Sequence, residues 1–219
     1  MGIPVFILGE SGSGKSTSLR NLNPDQTILL QAVKKPLPFR NTWKPWDNQT
    51  KTGSIAVTDN SARICAGINL FPQHGKKVIV IDDFQYTMAN EFMRRVMDKE
   101  TGNAAFAKYN EIAKNAWDII MAAQNAPDDV VVYFLSHTQT DERGLVKCKT
   151  IGKLLDEKIT LEGLFSIVMR SLKHDGNHVF STTNDGFDTV KTPMGMFDSQ
   201  FIDNDLNHVT QTIKSYYGV

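Results

Sequence analysis

The feature that most constrains this chain is a glycine-rich loop that begins at residue 9. The apolar run Ile3–Leu8 leads into "GESGSGKS" (Gly9–Ser16), which fits the pattern G-x-x-x-x-G-K-[ST]. Glycines let a backbone curl so that successive N–H groups point inward at phosphate oxygens. The sequence predicts a strand before this loop and a helix over Ser16–Asn21 after it. A strand, loop and helix in this order favour genuine nucleotide binding over a chance glycine-rich turn.

The residues of this loop have separate predicted roles. Lys15 would reach the β- and γ-phosphates and take part in catalysis, and the Ser16 hydroxyl would ligate Mg²⁺. The positive N-terminal end of the helix that follows would add to the attraction for phosphate. The residues predicted to contact the nucleotide are Gly9, Glu10, Ser11, Gly12, Ser13, Gly14, Lys15, Ser16 and Thr17.

A second apolar stretch, "KVIVIDDF" (Lys77–Phe84), ends in two adjacent carboxylates. Ligands bind at the carboxyl ends of strands in open parallel sheets, so this stretch predicts the second half of the site. Asp82 is the expected Walker B carboxylate, which holds Mg²⁺ through water. Asp83 is the candidate general base that orients the attacking water. Alternatively, Asp83 caps the helix that follows.

Another strand, Asp129–His137, ends in polar residues that could serve the same site. If this strand lies beside the first one, Ser136 or His137 projects towards the γ-phosphate. A polar side chain there could sense the phosphate and hold the water. The alternative for His137 is a polar cap at the end of a strand.

The rest of the chain alternates apolar stretches with helical patterns, which indicates a mainly parallel sheet covered on both faces by helices. Further strands are predicted at Thr27–Val33, Ser54–Asp59, Phe165–Leu172 and His178–Thr183, the last two joined by the hairpin turn "HDGN". Helices are predicted at Asn103–Asn125 and Asn204–Tyr217, and in "NEFMRRVMDKE", with Phe92, Val96 and Met97 on one side. We expect one α/β domain over residues 1–219, with a C-terminal β-hairpin.

Composition narrows the classes of protein further. Lys and Arg together number 24, as do Asp and Glu, so nucleic-acid binding would need a local basic patch. Cys65 and Cys148 lack metal-site spacing and are expected to be reduced intracellular thiols. The apolar runs are too short for a signal peptide or a membrane span, which predicts a cytoplasmic protein without membrane contact.

One locally basic stretch is "KKPLPFRNTWKPWDNQTK" (Lys34–Lys51), called here the basic segment. Arg40, Trp43 and Trp46 interleave charge with aromatic rings, a composition suited to stacking the bases of single-stranded DNA. Alternatively, the segment is a proline-rich loop whose tryptophans pack on the core or on a partner subunit.

Several nucleotide-binding classes fit less well. "SGSGKST" occurs in ABC transporter ATPases, but those carry a long stretch before the loop and an LSGGQ-like signature, which are both missing here. Nucleoside and nucleotide kinases have an arginine-rich lid, whereas "DERGLVKCKTIGK" holds one arginine and three lysines. The N-K-x-D motif of GTPases is absent.

Several longer stretches together resemble bacteriophage AAA/RecA-type ATP-binding proteins, including the Sak-type RecA-like ATPases associated with single-strand annealing. These stretches are the N-terminal loop, "VIVIDDFQYTMANEFM", "VVVYFLSHTQTDERG", "KTIGKLLDEKITLEGLFSIVM" and "DTVKTPMGMF…IDNDL". The resemblance implies a RecA-like core, Mg-ATP hydrolysis, assembly into a ring or filament, and a role in phage DNA recombination or replication, in the host cytosol. It also implies single-stranded DNA and a phage annealing or replication protein as partners.

The resemblance also bears on two sets of residues. RecA itself uses a glutamate ahead of the Walker B strand as base, but this chain has no glutamate between Glu10 and Glu91, so Asp83 takes the role by default. The region after the sensor strand faces DNA or the adjacent subunit in RecA-like proteins. The candidates there to contact DNA or a neighbour's γ-phosphate are Arg143, Lys147 and Lys153, and Lys191, which follows the hairpin, is another. The alternative is a solvated charged loop.

The sequence thus predicts a DNA-stimulated ATPase in phage recombination. Two other functions remain open: a small-molecule kinase, and an ATP-gated assembly module that hydrolyses little.

Overall fold

The computed structural model of this protein describes residues 1–98, 103–152 and 154–219. The strands are β1 (Ile3–Leu8), β2 (Thr27–Gln31), β3 (Ile55–Val57), β4 (Val78–Asp82), β5 (Val131–Ser136), β6 (Thr138–Thr140), β7 (Val146–Cys148), β8 (Ile167–His174), β9 (Asn177–Ser181) and β10 (Phe201–Asp203). The α-helices are α1 (Ser61–Leu70), α2 (Gln85–Arg94), α3 (Asn103–Gln124) and α4 (Leu206–Tyr217).

A central sheet organises the described part of the chain. Its eight strands run in the order β10-β9-β8-β1-β5-β4-β2-β3, and all neighbours from β8 to β3 are parallel. β1 lies between β5 and β8, and β5 separates β1 from β4. The carboxyl ends of β1, β4 and β5 therefore meet at one edge of the sheet, which is where ligands bind in this architecture.

Side chains alternate between the two faces of the sheet, and each face is covered by helices. From β1, Phe6 and Leu8 join a core cluster with apolar residues of α1, α2 and α3. Val5 and Ile7 join the opposite cluster, which includes apolar residues of α4. The near-continuous apolar strands of the sequence are explained by this burial on both sides.

This architecture confirms the predicted α/β fold class, a mainly parallel sheet flanked by helices with a late β-hairpin. β8 and β9 pair antiparallel through a turn at Asp175 and Gly176, whose φ angles of 48° and 80° are those of a tight hairpin turn. α3 and α4 lie where the periodicity predicts them.

Two local predictions differ from the structure. Ser16–Asn21 is a short 3-10 helix rather than an α-helix, so it offers phosphate a weaker helix dipole than expected. α2 ends at Arg94, so Val96 and Met97 lie in the turn beyond it and are 46% and 80% exposed. The prediction that they lie on one side of a helix with Phe92 was wrong.

The sequence patterns also missed β6, β7 and β10, which are three residues long each and too short to show periodicity. β6 and β7 form a separate antiparallel pair directly after β5. Within the described ranges, every helix is too short or too polar to cross a lipid bilayer.

Candidate active site

The phosphate-binding loop predicted from the sequence connects β1 to the 3-10 helix. Gly14 has a φ of 104°, and a Cβ there would lie 3.0 Å from the Nδ1 atom of His178. Gly9 is equally constrained, because a Cβ would lie 2.7 Å from the carbonyl oxygen of Ser171. Close neighbours therefore require glycine at both positions, and the backbone shape also requires it at Gly14.

Lys15 is buried inside this loop at 6% exposure. Its Nζ donates hydrogen bonds to the carbonyl oxygens of Gly9 and Glu10, at 2.7 and 2.8 Å. Burial lowers the pKa of Lys15 to about 8, against the opposing effect of the charges on Asp83 and Asp82. In this state the ammonium is held by neutral carbonyls of its own loop, which a phosphate could replace as partners.

Ser16 and Asp82 contact each other although they are 66 residues apart in the chain. The Ser16 hydroxyl donates to Asp82, at 3.0 Å to Oδ2 and 3.2 Å to Oδ1. Asp82 is the last residue of β4 and is 3% exposed. Burial and the neighbouring charge of Asp83 raise the pKa of Asp82. The two predicted metal ligands thus lie together at the carboxyl edge of the sheet.

Asp83 follows with a φ of 59°, a left-handed backbone that is uncommon outside glycine. Its buried carboxylate forms an ion pair with Lys35, and Oδ1 lies 3.3 Å from Nε2 of His137. Burial alone would raise the pKa of Asp83, but the hydrogen bonds and charges of His137 and Lys35 outweigh it and hold that pKa below its ordinary value. The carboxylate points towards these partners and caps no helix in the structure.

The two candidate sensor residues, Ser136 at the end of β5 and His137 directly after it, have different surroundings. His137 lines the cleft and contacts Asp83. Ser136 is fully buried, and its Oγ lies 3.6 Å from the Sγ of Cys148 on β7. The carbonyl of Ser136 accepts a hydrogen bond from the backbone N–H of Gly9. Ser136 therefore supports the start of the loop through its backbone, while its side chain faces away from the cleft.

Sequence reasoning missed two residues that line the cleft. His178 on β9 shares the carbonyl oxygen of Ser13 with the Ser171 hydroxyl, at 2.8 Å and 2.9 Å. Lys35 was counted only as part of the basic segment. The position of Lys35, four residues beyond the carboxyl end of β2, was a usable signal because β2 neighbours β4. No comparable signal marked His178, because its approach depends on the pairing of β8 with β1.

These residues surround a cleft of about 220 Å³, lined by Ser11, Gly12, Gly14, Lys15, Ser16, Thr17, Lys35, Pro38, Asp83, His137 and His178. Lys15, Lys35 and two histidines line it together with Asp83, whose neighbour Asp82 contacts Ser16 of the same lining. The cleft can thus hold an anion beside a pair of carboxylates, which is the charge arrangement that a metal-bound polyphosphate requires.

The basic segment packs its tryptophans on the protein. Trp46 lies edge-on to Phe71, with ring centroids 5.0 Å apart, and Trp43 packs against the core cluster on the other face. The backbone N–H of Trp46 donates to the carbonyl of Ile55 on β3 at 2.7 Å. Arg40 is exposed. The placement of both rings agrees with the packing alternative.

The remaining candidate cations lie elsewhere. Arg143 is exposed in the turn between β6 and β7, Lys147 lies within β7, and the backbone of Lys191 pairs with Val168. Lys153 lies outside the described residues. In the part of the chain that the structure describes, none of these lysines or arginines lines the cleft.

No protein-family model matches this sequence, and neither does any curated protein. Among solved structures, the chain is similar to the genome packaging NTPase of Sulfolobus turreted icosahedral virus 2, solved in complex with ATP-γ-S. The identity is 11% and the TM-score 0.39, over 80% of this chain and 76% of that one.

Two further structures show similar values. A KaiC-like protein of Pyrococcus horikoshii has 14% identity and a TM-score of 0.41, over 82% of this chain and 76% of that one. The Legionella pneumophila ATPase DotB has 11% identity and a TM-score of 0.34, over 98% of this chain and 52% of that one. At these values the likenesses carry no argument, so the fold assignment depends on the strand order and the loop of this chain.

Proposed function

We propose that this protein is a Mg²⁺-dependent ATPase whose substrate binds in the cleft between the phosphate-binding loop and β4. One observation carries the proposal: Lys15, the Ser16–Asp82 contact and Asp83 meet in this cleft, although they come from two distant parts of the chain. A glycine-rich loop alone would bind an anion. A loop with two carboxylates beside it can also hold a metal and activate water.

The residues present fit Mg²⁺. This ion takes one or two protein carboxylates, hydroxyl oxygens, water and substrate phosphates rather than a complete protein cage. Ser16 and Asp82 supply such oxygens, while the described residues contain no group of three or more His, Cys, Asp or Glu side chains that could hold a metal alone. When bound, Mg²⁺ would neutralise charge on the β- and γ-phosphates.

Each of three side chains in the cleft has its own role in the proposed reaction. Lys15 exchanges its loop carbonyls for phosphate oxygens and compensates their charge. Asp83 accepts the proton of the water that attacks the γ-phosphorus, and the bond to the bridging oxygen breaks to release ADP and phosphate. His137, beside Asp83, helps to fix the position of that water.

The finer biological role that we propose comes from the resemblance to phage recombination ATPases. It includes stimulation by single-stranded DNA, assembly into a ring or filament and a phage annealing or replication protein as partner, with residues 1–219 as one domain. The exposed side chains of Arg40 and Arg143 support a DNA or subunit contact. We propose the same DNA or subunit contact for Lys147, Lys153 and Lys191.

The test is ATP turnover of the wild-type protein and two lysine variants. Lys15→Ala should abolish turnover. Lys114→Ala is the matched control, because Lys114 is exposed on α3 and pairs with Asp118, and it should keep the wild-type rate. Turnover that survives in Lys15→Ala would show that the cleft is assigned wrongly.

The same assay separates the finer proposals. Stimulation by single-stranded DNA that weakens steeply with salt would support the DNA role, and a rate per protomer that rises with protein concentration would support a shared site. Phosphate transfer to a nucleoside in place of water would make the protein a kinase. Tight ATP binding with negligible turnover, with or without DNA, would favour the assembly module.

A further inference from the structure

Lys35 has an unusual position for a residue of the basic segment. It lies just beyond β2, and its side chain reaches over the cleft to the carboxylate of Asp83. The Asp83 side chain is 4% exposed, whereas that of Lys35 is 48% exposed. The backbone of Lys35 is fixed, since its carbonyl accepts a hydrogen bond from the Gln31 side chain at 2.9 Å. The lysine thus has an anchored backbone and an ammonium group with room to move.

The place where this ammonium lies is the γ-phosphate end of the proposed ATP site. In P-loop proteins the loop serine and the Walker B carboxylate hold the metal that neutralises charge on the β- and γ-phosphates. Here the Ser16–Asp82 contact marks that position, and Asp83 is the next residue along the chain. In a nucleotide bound in this way, the γ-phosphate would come within reach of a group that contacts Asp83.

The two carboxylates at this end of the cleft favour the presence of a cation. A γ-phosphate would approach Asp82 and Asp83, and like charges brought together in a buried site are costly. Lys15, to which we assign phosphate contacts above, extends from the loop, whereas Lys35 comes from the basic segment and already contacts Asp83. Lys35 lines the cleft and pairs with Asp83, so its positive charge would reduce the repulsion.

We propose that Lys35 binds the γ-phosphate and so makes the site discriminate ATP from ADP, an inference that rests on the proposed nucleotide site. An ammonium has three N–H donors, so Lys35 can contact a phosphate oxygen while it still touches Asp83. Its flexible four-carbon stem allows the short movement that this contact needs. ADP lacks the γ-phosphate, so Lys35 would not contribute to the affinity for ADP.

The experiment measures the affinities of the non-hydrolysable analogue AMP-PNP and of ADP, both with Mg²⁺, by calorimetry. In Lys35→Ala we expect AMP-PNP to bind about 10- to 100-fold more weakly, the loss of one charged hydrogen bond, while ADP stays within about twofold. Lys35→Arg should restore most of the preference, because the positive charge is kept. Lys34→Ala is the matched control and should change neither affinity, because Lys34 is exposed and lies outside the cleft lining.

The outcomes separate this inference from the proposed function. If wild-type protein binds both nucleotides in a Lys15-dependent way, but Lys35→Ala weakens both equally or neither, the γ-phosphate role of Lys35 is wrong and the site stands. If wild-type protein binds neither nucleotide, the proposed function is wrong and the inference is overturned with it. Should Lys35→Ala not fold, Lys35→Met keeps the stem and removes the charge, and the same AMP-PNP-to-ADP ratio decides.

Discussion

The phosphate-binding loop and the basic segment both border the cleft, and both supply it with a lysine, but they are built differently. In the loop, Lys15 contacts carbonyls five and six residues away. In the basic segment, Lys35 contacts a carboxylate 48 residues further along the chain, and the tryptophans pack on distant core residues. The first region is organised by local spacing and the second by tertiary packing.

This difference explains why the structure of the loop could be predicted from the sequence and that of the basic segment could not. A loop whose contacts lie within a few residues has a shape that its own glycines determine, so a short pattern is sufficient to identify it. For the basic segment the sequence offers only its composition, and composition does not determine which way an aromatic ring faces. Tryptophans that could stack bases are instead half-buried against the protein.

The largest effect is expected at Asp83, which pairs with Lys35 of the basic segment and lines the cleft together with the loop. Asp83→Asn keeps the size of the side chain but removes its capacity to accept a proton, so kcat for ATP should fall about 10²- to 10⁴-fold. Steady-state kinetics with a parallel binding assay would show it. Binding of ATP should remain, because the phosphate contacts of the loop are intact. A kcat within a few-fold of wild type would move the base elsewhere.

A smaller effect should follow from Gly14→Ala within the loop. The φ of 104° and the nearby His178 ring oppose any side chain there, at a cost of about 1–3 kcal/mol that falls on the nucleotide-binding conformation. ATP affinity, measured by titration, should drop. Gly144→Ala is the control: its φ is 83° with open space around it, so it should cost stability without changing ATP affinity. Equal ATP affinity in both variants would contradict local control of the loop.

In the basic segment, the expected effect of Trp46→Ala is on stability rather than on catalysis. The ring is partly buried against Phe71, so its removal should lower the free energy of unfolding by about 1–2 kcal/mol, less than for a fully buried aromatic. Thermal or urea unfolding measures it. Unchanged stability together with lost binding of single-stranded DNA would instead favour base stacking by Trp46.

The smallest effect is expected from Arg40→Ala. Arg40 is exposed, so stability should change by no more than about 0.5 kcal/mol. If Arg40 contacts a DNA phosphate, the slope of log affinity against log salt should become shallower by about one, which a fluorescence titration at several salt concentrations would detect. An unchanged slope would exclude Arg40 from the contact.

The sequence predicts much of the fold because the buried strands are continuous apolar runs and α3 and α4 repeat apolar residues at helical spacing. It also predicts that Ser16 and Asp82 belong to one site, since the loop follows β1, Asp82 ends β4, and the carboxyl ends of these strands share an edge. It does not predict the direction of the Ser136 side chain, which the short strand β7 draws towards Cys148. Nor does it place Lys35 or His178, whose contacts arise from chain segments far apart in sequence.

The two outer strands of the central sheet have a consequence for assembly. β3 and β10 are three residues long each, and the chain around Trp46 already occupies backbone groups of Ile55. Lateral growth of the sheet from one protomer into the next would find few free backbone partners along β3. If the proposed ring or filament forms, contacts along β3 would therefore be made by side chains and loops, and they could break and reform without disrupting a continuous ladder of hydrogen bonds.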